Sequence, residues 1–96
     1  MNNDKDFKVE SINQELIDNL HKRIGIKVKK LRKKHSISQL ELSYLLGFKS
    51  LSLVSGSETY YKRKDTSKGQ HFSIEHIYKI CLILNEDFSK FFEDIK

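Results

Sequence analysis

The residues at positions 38–47 are Ser-Gln-Leu-Glu-Leu-Ser-Tyr-Leu-Leu-Gly, and this stretch contains the signals of a short, sharply bounded helix. Ser38 and Glu41 have the spacing of a capping box, in which each side chain accepts a hydrogen bond from the backbone N–H of the other residue. The leucines that follow fall on one helical face. Gly47 stands where helices commonly end with a left-handed residue. The pattern predicts a helix over residues 38–46.

A second short helical segment comes almost at once, over residues 50–58, and Ser50 is placed to cap it. A short helix, a tight turn containing glycine and a second short helix form the pattern of a helix-turn-helix motif. The second segment is rich in serine and glycine, which are poor helix formers. Such a helix is held by tertiary packing, or its surface is needed for binding.

The composition of the 96-residue chain favours one all-α domain, because proline is absent, glycine is scarce and lysine, leucine and isoleucine are abundant. No apolar run reaches the roughly 18 residues that a membrane span needs, so we expect no membrane association. Residues 1–10 are polar and mixed in charge, unlike a signal peptide. A single cysteine fits a reducing compartment, and together these features predict a cytoplasmic protein.

The pattern divides the chain into a flexible tail over residues 1–10, an N-terminal helical extension over 11–22 that starts at Ser11, and a domain over 23–96. The pattern leaves open whether the extension continues directly into the next helix, in which case Gly25 would weaken the helix locally without ending it. A loop is expected over 59–72.

Two further helices are predicted after this loop. The first starts at Ser73 and ends at Asn85, and the second is capped by Asp87. The expected core face of the first is formed by Ile74, Ile77, Tyr78, Cys81 and Leu84. In the second, the apolar residues Phe88, Phe91, Phe92 and Ile95 repeat at helical spacing, either as a lid on the core or as part of a dimer interface.

Positive charge is concentrated in two segments. Residues 22–34 contain eight basic residues and no acidic one, and the loop segment 62–68 is also basic, within a net charge of +5. Concentrated basicity is typical of a surface that binds a polyanion. The plainer interpretation, a solvated lysine face and a solvated loop, remains open from the charges alone.

A family resemblance covers residues 24–92. It depends on Leu31-Arg32, Ser38-Gln39 with Leu42, Leu45-Leu46-Gly47, Val54-Ser55, Glu58, and Ile74, Ile77, Ile80-Cys81, Leu84, Phe88 and Phe91. In order and spacing these residues resemble the DNA-binding domain of the phage Cro/repressor family, the XRE-like helix-turn-helix proteins. The resemblance implies a compact five-helix all-α domain, to which this chain would add an N-terminal helix.

The resemblance also implies roles for particular residues. Arg32 would pair with Glu58 and so tie the first helix of the domain to the third, and Gln39 would touch the DNA backbone. The start of the third helix would contact bases in the major groove, with Lys49, Ser50, Leu51, Ser52, Ser55 and Gly56 as candidates. That helix has no Arg, Gln or Asn for bidentate base contacts, so base contacts fall to serine hydroxyls and Leu51. Ser57 stands where the family has a large apolar residue.

The sequence therefore predicts a sequence-specific regulator of transcription, with repression as the expected action, that binds double-stranded DNA as a homodimer. The expected DNA-binding residues are Ser38, Gln39, Lys49, Ser50, Leu51, Ser52, Ser55, Lys62, Arg63 and Lys64, with some lysines of 27–34 on phosphates. The dimer would use the 12–24 helix or the last helix. The alternative is a protein-interaction module, antitoxin-like or an anti-repressor, on the same scaffold; RNA binding is a third interpretation.

No enzymatic chemistry is evident in the sequence. His71, His76 and Cys81 lack the spacing of a zinc site, and Cys81 falls on an apolar helical face as a core thiol would. We therefore expect no catalytic residue, no metal, no cofactor and no small-molecule ligand.

Overall fold

The computed structural model describes residues 13–60 and 69–95, which contain five α-helices and no β-strand. The helices are α1 (Gln14–Lys34), α2 (Gln39–Leu45), α3 (Ser52–Thr59), α4 (Ile74–Leu84) and α5 (Phe88–Phe91). The predicted five-helix, all-α architecture is confirmed. The additional N-terminal helix is not a separate element, because α1 continues through residues 22 and 23 without a break, which is the alternative that the sequence left open.

Three predicted helix boundaries are confirmed by their caps. The Ser38 hydroxyl accepts from the Glu41 N–H at 3.0 Å, and the Glu41 carboxylate accepts from the Ser38 N–H at 3.1 Å. Asp87 accepts from the N–H groups of the first turn of α5. Asn85 ends α4 in the left-handed region, with φ of 56°. These caps join residues close in sequence, and local spacing was enough to predict them.

Two predicted helix starts are wrong. Asn13 has an extended backbone and its side chain accepts from the Leu16 N–H, so α1 begins after it and not at Ser11. Leu51, not Ser50, is the residue before α3, and no side chain caps this helix. The Ser50 hydroxyl accepts from the Ser52 N–H at 3.4 Å, which is a bond to the first residue of α3 and not a cap on its second or third N–H.

The core lies between α1, α4 and the short helices. Its buried members come from every helix and from the segment before α4: Ile24, Val28, Leu31, Leu42, Val54, Phe72, Ile77, Ile80, Cys81, Leu84 and Phe91. The apolar residues around α5 pack on this core as a lid, namely Phe88, Phe92 and Ile95. The predicted core face of α4 is partly wrong, since Ile74 and Tyr78 are exposed and Ile80 is buried.

Gly25 is where α1 crosses α3. A Cβ atom built on Gly25 would lie 2.5 Å from the carbonyl oxygens of both Ser57 and Glu58. Ser57 is fully buried on the other side of this crossing. The absence of a side chain at Gly25 therefore lets the two helix backbones approach closely. Gly25 is a packing residue and not an interruption of the helix.

We predict that Gly25→Ala destabilises the protein by about 1–3 kcal/mol, because the added methyl group overpacks the crossing. In an uncrowded helix the same change would stabilise by about 1 kcal/mol, so the sign of the effect decides between the two roles. Urea unfolding followed by circular dichroism measures it. Asn19→Ala, at an exposed site on α1, is the control and should change stability little. A Gly25→Ala protein more stable than the wild type would contradict the crossing.

The start of α4 depends on a neutral histidine. The Ser73 N–H donates to Nδ1 of His76 at 3.1 Å, and the Ser73 hydroxyl accepts from the His76 N–H at 3.1 Å. Nδ1 can accept only while it is unprotonated. Burial, with smaller effects of nearby charges, lowers the pKa of His76 below its usual 6.5.

We therefore predict that stability falls as the pH is lowered from 7.0 to 5.5. The unfolded chain takes up a proton on His76 below pH 6.5 while the folded chain resists it, so acid favours unfolding. His76→Gln should reduce this loss, because glutamine serves in a capping box and does not titrate. Urea titrations at several pH values compare the two proteins, and an equal loss of stability in both would rule out His76 as a source.

Candidate nucleic-acid interface

A buried network of charged and polar groups joins the first three helices. The Arg32 guanidinium on α1 donates to both carboxylate oxygens of Glu58 on α3, at 2.7 and 3.0 Å. Its third contact is the Ile37 carbonyl before α2, at 2.9 Å. Arg32 and Glu58 are 7% and 4% exposed. The pair that the resemblance implied is present, and its role is structural.

Gln39, the first residue of α2, belongs to the same network. Its side-chain amide donates to Glu58 at 2.9 Å. A glutamine amide has two N–H groups, so one remains free to donate to a phosphate. Ser38 is exposed beside it, and its hydroxyl oxygen accepts the capping bond, which leaves the hydroxyl proton free. The network thus fixes the direction in which the start of α2 presents its donors.

A cleft of about 350 Å³ lies beside this network. Its lining residues come from α1, the start of α2 and the end of α3: Lys22, Ile26, Lys29, Gln39, Glu58 and Thr59. Lys22, Ile26 and Lys29 share one face of α1, at positions i, i+4 and i+7. The sequence prediction did not place Lys22 among the phosphate-binding residues. A helix continuous through residue 22 would have put Lys22 and Lys29 on one face.

The lysines of α1 divide into two groups. Lys27 pairs with Asp94 at 3.1 Å and Lys34 pairs with Glu86 at 3.0 Å, so both have acidic partners. These contacts lower the pKa of Asp94, chiefly through Lys27, and that of Glu86, chiefly through His35 and then Lys34. Within residues 13–60 and 69–95, the basic residues of α1 with no ion pair are Lys22, Arg23, Lys29, Lys30 and Lys33. The second group is the one available to a polyanion.

The predicted base-contacting residues surround the start of α3. Lys49, Ser50, Leu51 and Ser52 are exposed and Ser55 is half-buried. Their neighbour Gly56 is covered, because an added Cβ would overlap the Gln70 side chain. The hydroxyls bond weakly to local groups, such as Ser55 to the Ser52 carbonyl at 3.4 Å, and so can exchange these partners for others.

One face of α3 connects these residues to the cleft. Thr59 lines the cleft, and Ser55 and Ser52 lie one and two turns before it on the same face, at i−4 and i−7. The distance from Thr59 to Ser52 along the axis is about 10 Å at 1.5 Å per residue. Small polar side chains on this face therefore connect the cleft to the exposed start of α3.

Other predicted sites have different outcomes. Lys62, Arg63 and Lys64 lie outside the described residues. Cys81 is 1% exposed, and burial raises the pKa of its thiol, so it packs as a core residue.

Over the described ranges, no group of three or more His, Cys, Asp and Glu side chains is placed to hold a metal ion. None of the helices in these ranges is long and apolar enough to cross a membrane.

Comparison with known proteins adds no relative. No model of a protein family matches the chain, and no characterised protein or solved structure is significantly similar to it. The arrangement of its own residues is thus the basis for a functional proposal.

We predict that Glu58→Gln destabilises the protein by about 3–5 kcal/mol, because it leaves the buried Arg32 charge without a counter-charge. The matched control is Glu75→Gln, which breaks the exposed pair with Lys79 and should change stability little. Urea unfolding measures both. Similar small losses in the two variants would show that the buried pair does not hold α1 to α3.

Proposed function

We propose that this protein is a sequence-specific regulator of transcription that binds duplex DNA as a homodimer. The observation that carries the proposal is the cleft in which unpaired Lys22 and Lys29 flank Gln39. In this arrangement the first residues of α2 contact a DNA phosphate. Such phosphate contacts set the register of a protein on DNA. The start of α3 then enters the major groove.

Base recognition in this proposal comes from serine hydroxyls and one apolar contact. Ser52 and Ser55 hydroxyls can donate to or accept from several bases, and Leu51, 41% exposed, can contact a thymine methyl group. Such contacts discriminate modestly between bases, so the lysines supply most of the affinity. Repression by occupying an operator is the simplest action for such a protein, and a cytoplasmic location fits it.

The second candidate function is a protein-interaction module. Tyr44 and Leu45 on α2 are 58% and 57% exposed, and apolar groups of this size commonly mark protein contacts when they cluster. In that case the serine-rich α3 and the exposed face of α2 would bind a protein partner, and the lysines would be a solvated surface.

We predict that affinity for a duplex falls steeply with salt. For about five neutralised phosphates, log K should fall against log salt with a slope of about −4.5. The double variant Lys22→Ala/Lys29→Ala should reduce this slope by about 2, because each phosphate contributes about 0.9. Fluorescence anisotropy with a labelled duplex, measured from low salt upward, gives both slopes.

The charge-matched control is Lys27→Ala/Lys34→Ala, which removes two lysines that are paired with acids and should leave the slope nearly unchanged. Equal effects of the two double variants would mean that net charge, and not the cleft, governs binding. Gln39→Ala/Ser52→Ala separates the candidate functions: unchanged DNA binding together with loss of a protein partner would favour the interaction module.

A further inference from the structure

α4 has two apolar faces, and only one of them is covered. Ile77, Ile80, Cys81 and Leu84 are buried in the core. On the adjoining side Ile74, Tyr78 and Leu82 are 64%, 49% and 63% exposed, at positions i, i+4 and i+8. These three residues, named the α4 stripe, form a continuous apolar surface about 12 Å long at 1.5 Å per residue.

Two opposite charges lie along one edge of the α4 stripe. Glu75 and Lys79 are 72% and 49% exposed, and they pair with each other at 2.9 Å. The Lys79 contact is the main cause of the lowered pKa of Glu75. Both residues come one position after a stripe residue, so they lie on the same flank of the helix. This edge is therefore self-complementary: negative towards the start of α4 and positive towards its middle.

We propose that the α4 stripe is the homodimer interface, with α4 packed antiparallel against α4 of a second copy around a two-fold axis at residue 77. An isologous contact of this kind requires a self-complementary surface. Around that axis the stripe residues of the two copies alternate along the interface. Residue 78 of the other copy, for example, lies between residues 74 and 78 of the first. The same axis places Glu75 opposite Lys79 of the partner subunit, and symmetry repeats this ion pair. The proposal deepens the homodimer of the proposed function, although the pairing itself needs no DNA.

The exposed apolar faces of α1 and α2 lack this complementarity. On α1, Leu16 and Leu20 are 57% and 42% exposed, and Arg23 lies on the same face, at i+3 from Leu20. The acidic residues of α1, Glu15 and Asp18, lie about 140° and 160° around the helix from Leu20 at 100° per residue, so an α1 interface would have a positive charge without an acidic partner. α2 contains no basic residue. The charges thus select α4, and Leu16 provides a control position.

The α4 interface is short, and small interfaces form weak, reversible complexes. We therefore expect an equilibrium between monomer and dimer that depends on protein concentration. Analytical ultracentrifugation of the full chain, without DNA, measures this equilibrium.

A charge exchange between two chains tests the pairing. Glu75→Lys alone and Lys79→Glu alone should each weaken self-association about tenfold or more, since each places like charges opposite one another twice. An equimolar mixture of the two variants should associate as strongly as the wild type, because each chain then meets its opposite. The pair within each helix stays repulsive in that mixture, so recovery can come only from contacts between chains. No recovery in the mixture would overturn the proposed pairing.

A second comparison tests the stripe itself. Leu82→Glu should abolish the dimer while leaving the thermal unfolding midpoint almost unchanged, because the side chain is exposed in the monomer. Leu16→Glu is the matched control and should leave the dimer intact. Dissociation by Leu16→Glu and not by Leu82→Glu would overturn the proposal, as would a wild type that remains monomeric at high micromolar concentration.

DNA binding is scored separately in these proteins, by anisotropy with a duplex. A wild-type dimer that dissociates on Leu82→Glu but binds no DNA would leave the interface standing and refute the proposed function. A strictly monomeric wild type that binds DNA with a steep salt dependence would refute the interface and leave DNA binding itself standing.

Discussion

The ion pair between Arg32 and Glu58 is the interaction on which the rest of the structure depends. It is buried, doubly hydrogen-bonded, and extended by Gln39 and the Ile37 carbonyl, so one charge centre fixes the relative positions of α1, α2 and α3. A buried charge pair contributes less net stability than its strength suggests, because both ions lose their hydration. Its clearest effect is geometric: Gln39 and the start of α2 are held in one orientation beside the cleft.

Close packing and charge pairing complete this arrangement. The missing side chain at Gly25 allows α3 to approach α1, which brings Glu58 within reach of Arg32. Ion pairs with the C-terminal part of the chain occupy Lys27 and Lys34. The lysines that remain without such partners include those that line the cleft. One helix thereby provides the core, the buried pair and a basic surface on different faces.

The sequence predicted those features that depend on local spacing. The capping box at Ser38, the helix ends at Gly47 and Asn85, and the all-α class depend on residues a few positions apart. The Arg32–Glu58 pair required a family resemblance, because its members are distant in the chain. Gly25, the exposed half of α4 and Lys22 in the cleft were missed or misassigned, since each depends on which helix packs against which. An apolar residue at helical spacing does not reveal whether a neighbour covers it, as Ile74 and Tyr78 show.

We propose that the surface formed by the starts of α2 and α3 and the basic face of α1 binds duplex DNA. The most direct test is to titrate the isotope-labelled protein with a duplex selected from a random pool and to record amide shifts by NMR. We expect the largest shifts at Ser38, Gln39 and residues 50–55, with smaller ones near Lys22 and Lys29. At saturating duplex, unchanged amides at the starts of α2 and α3 would contradict the proposal.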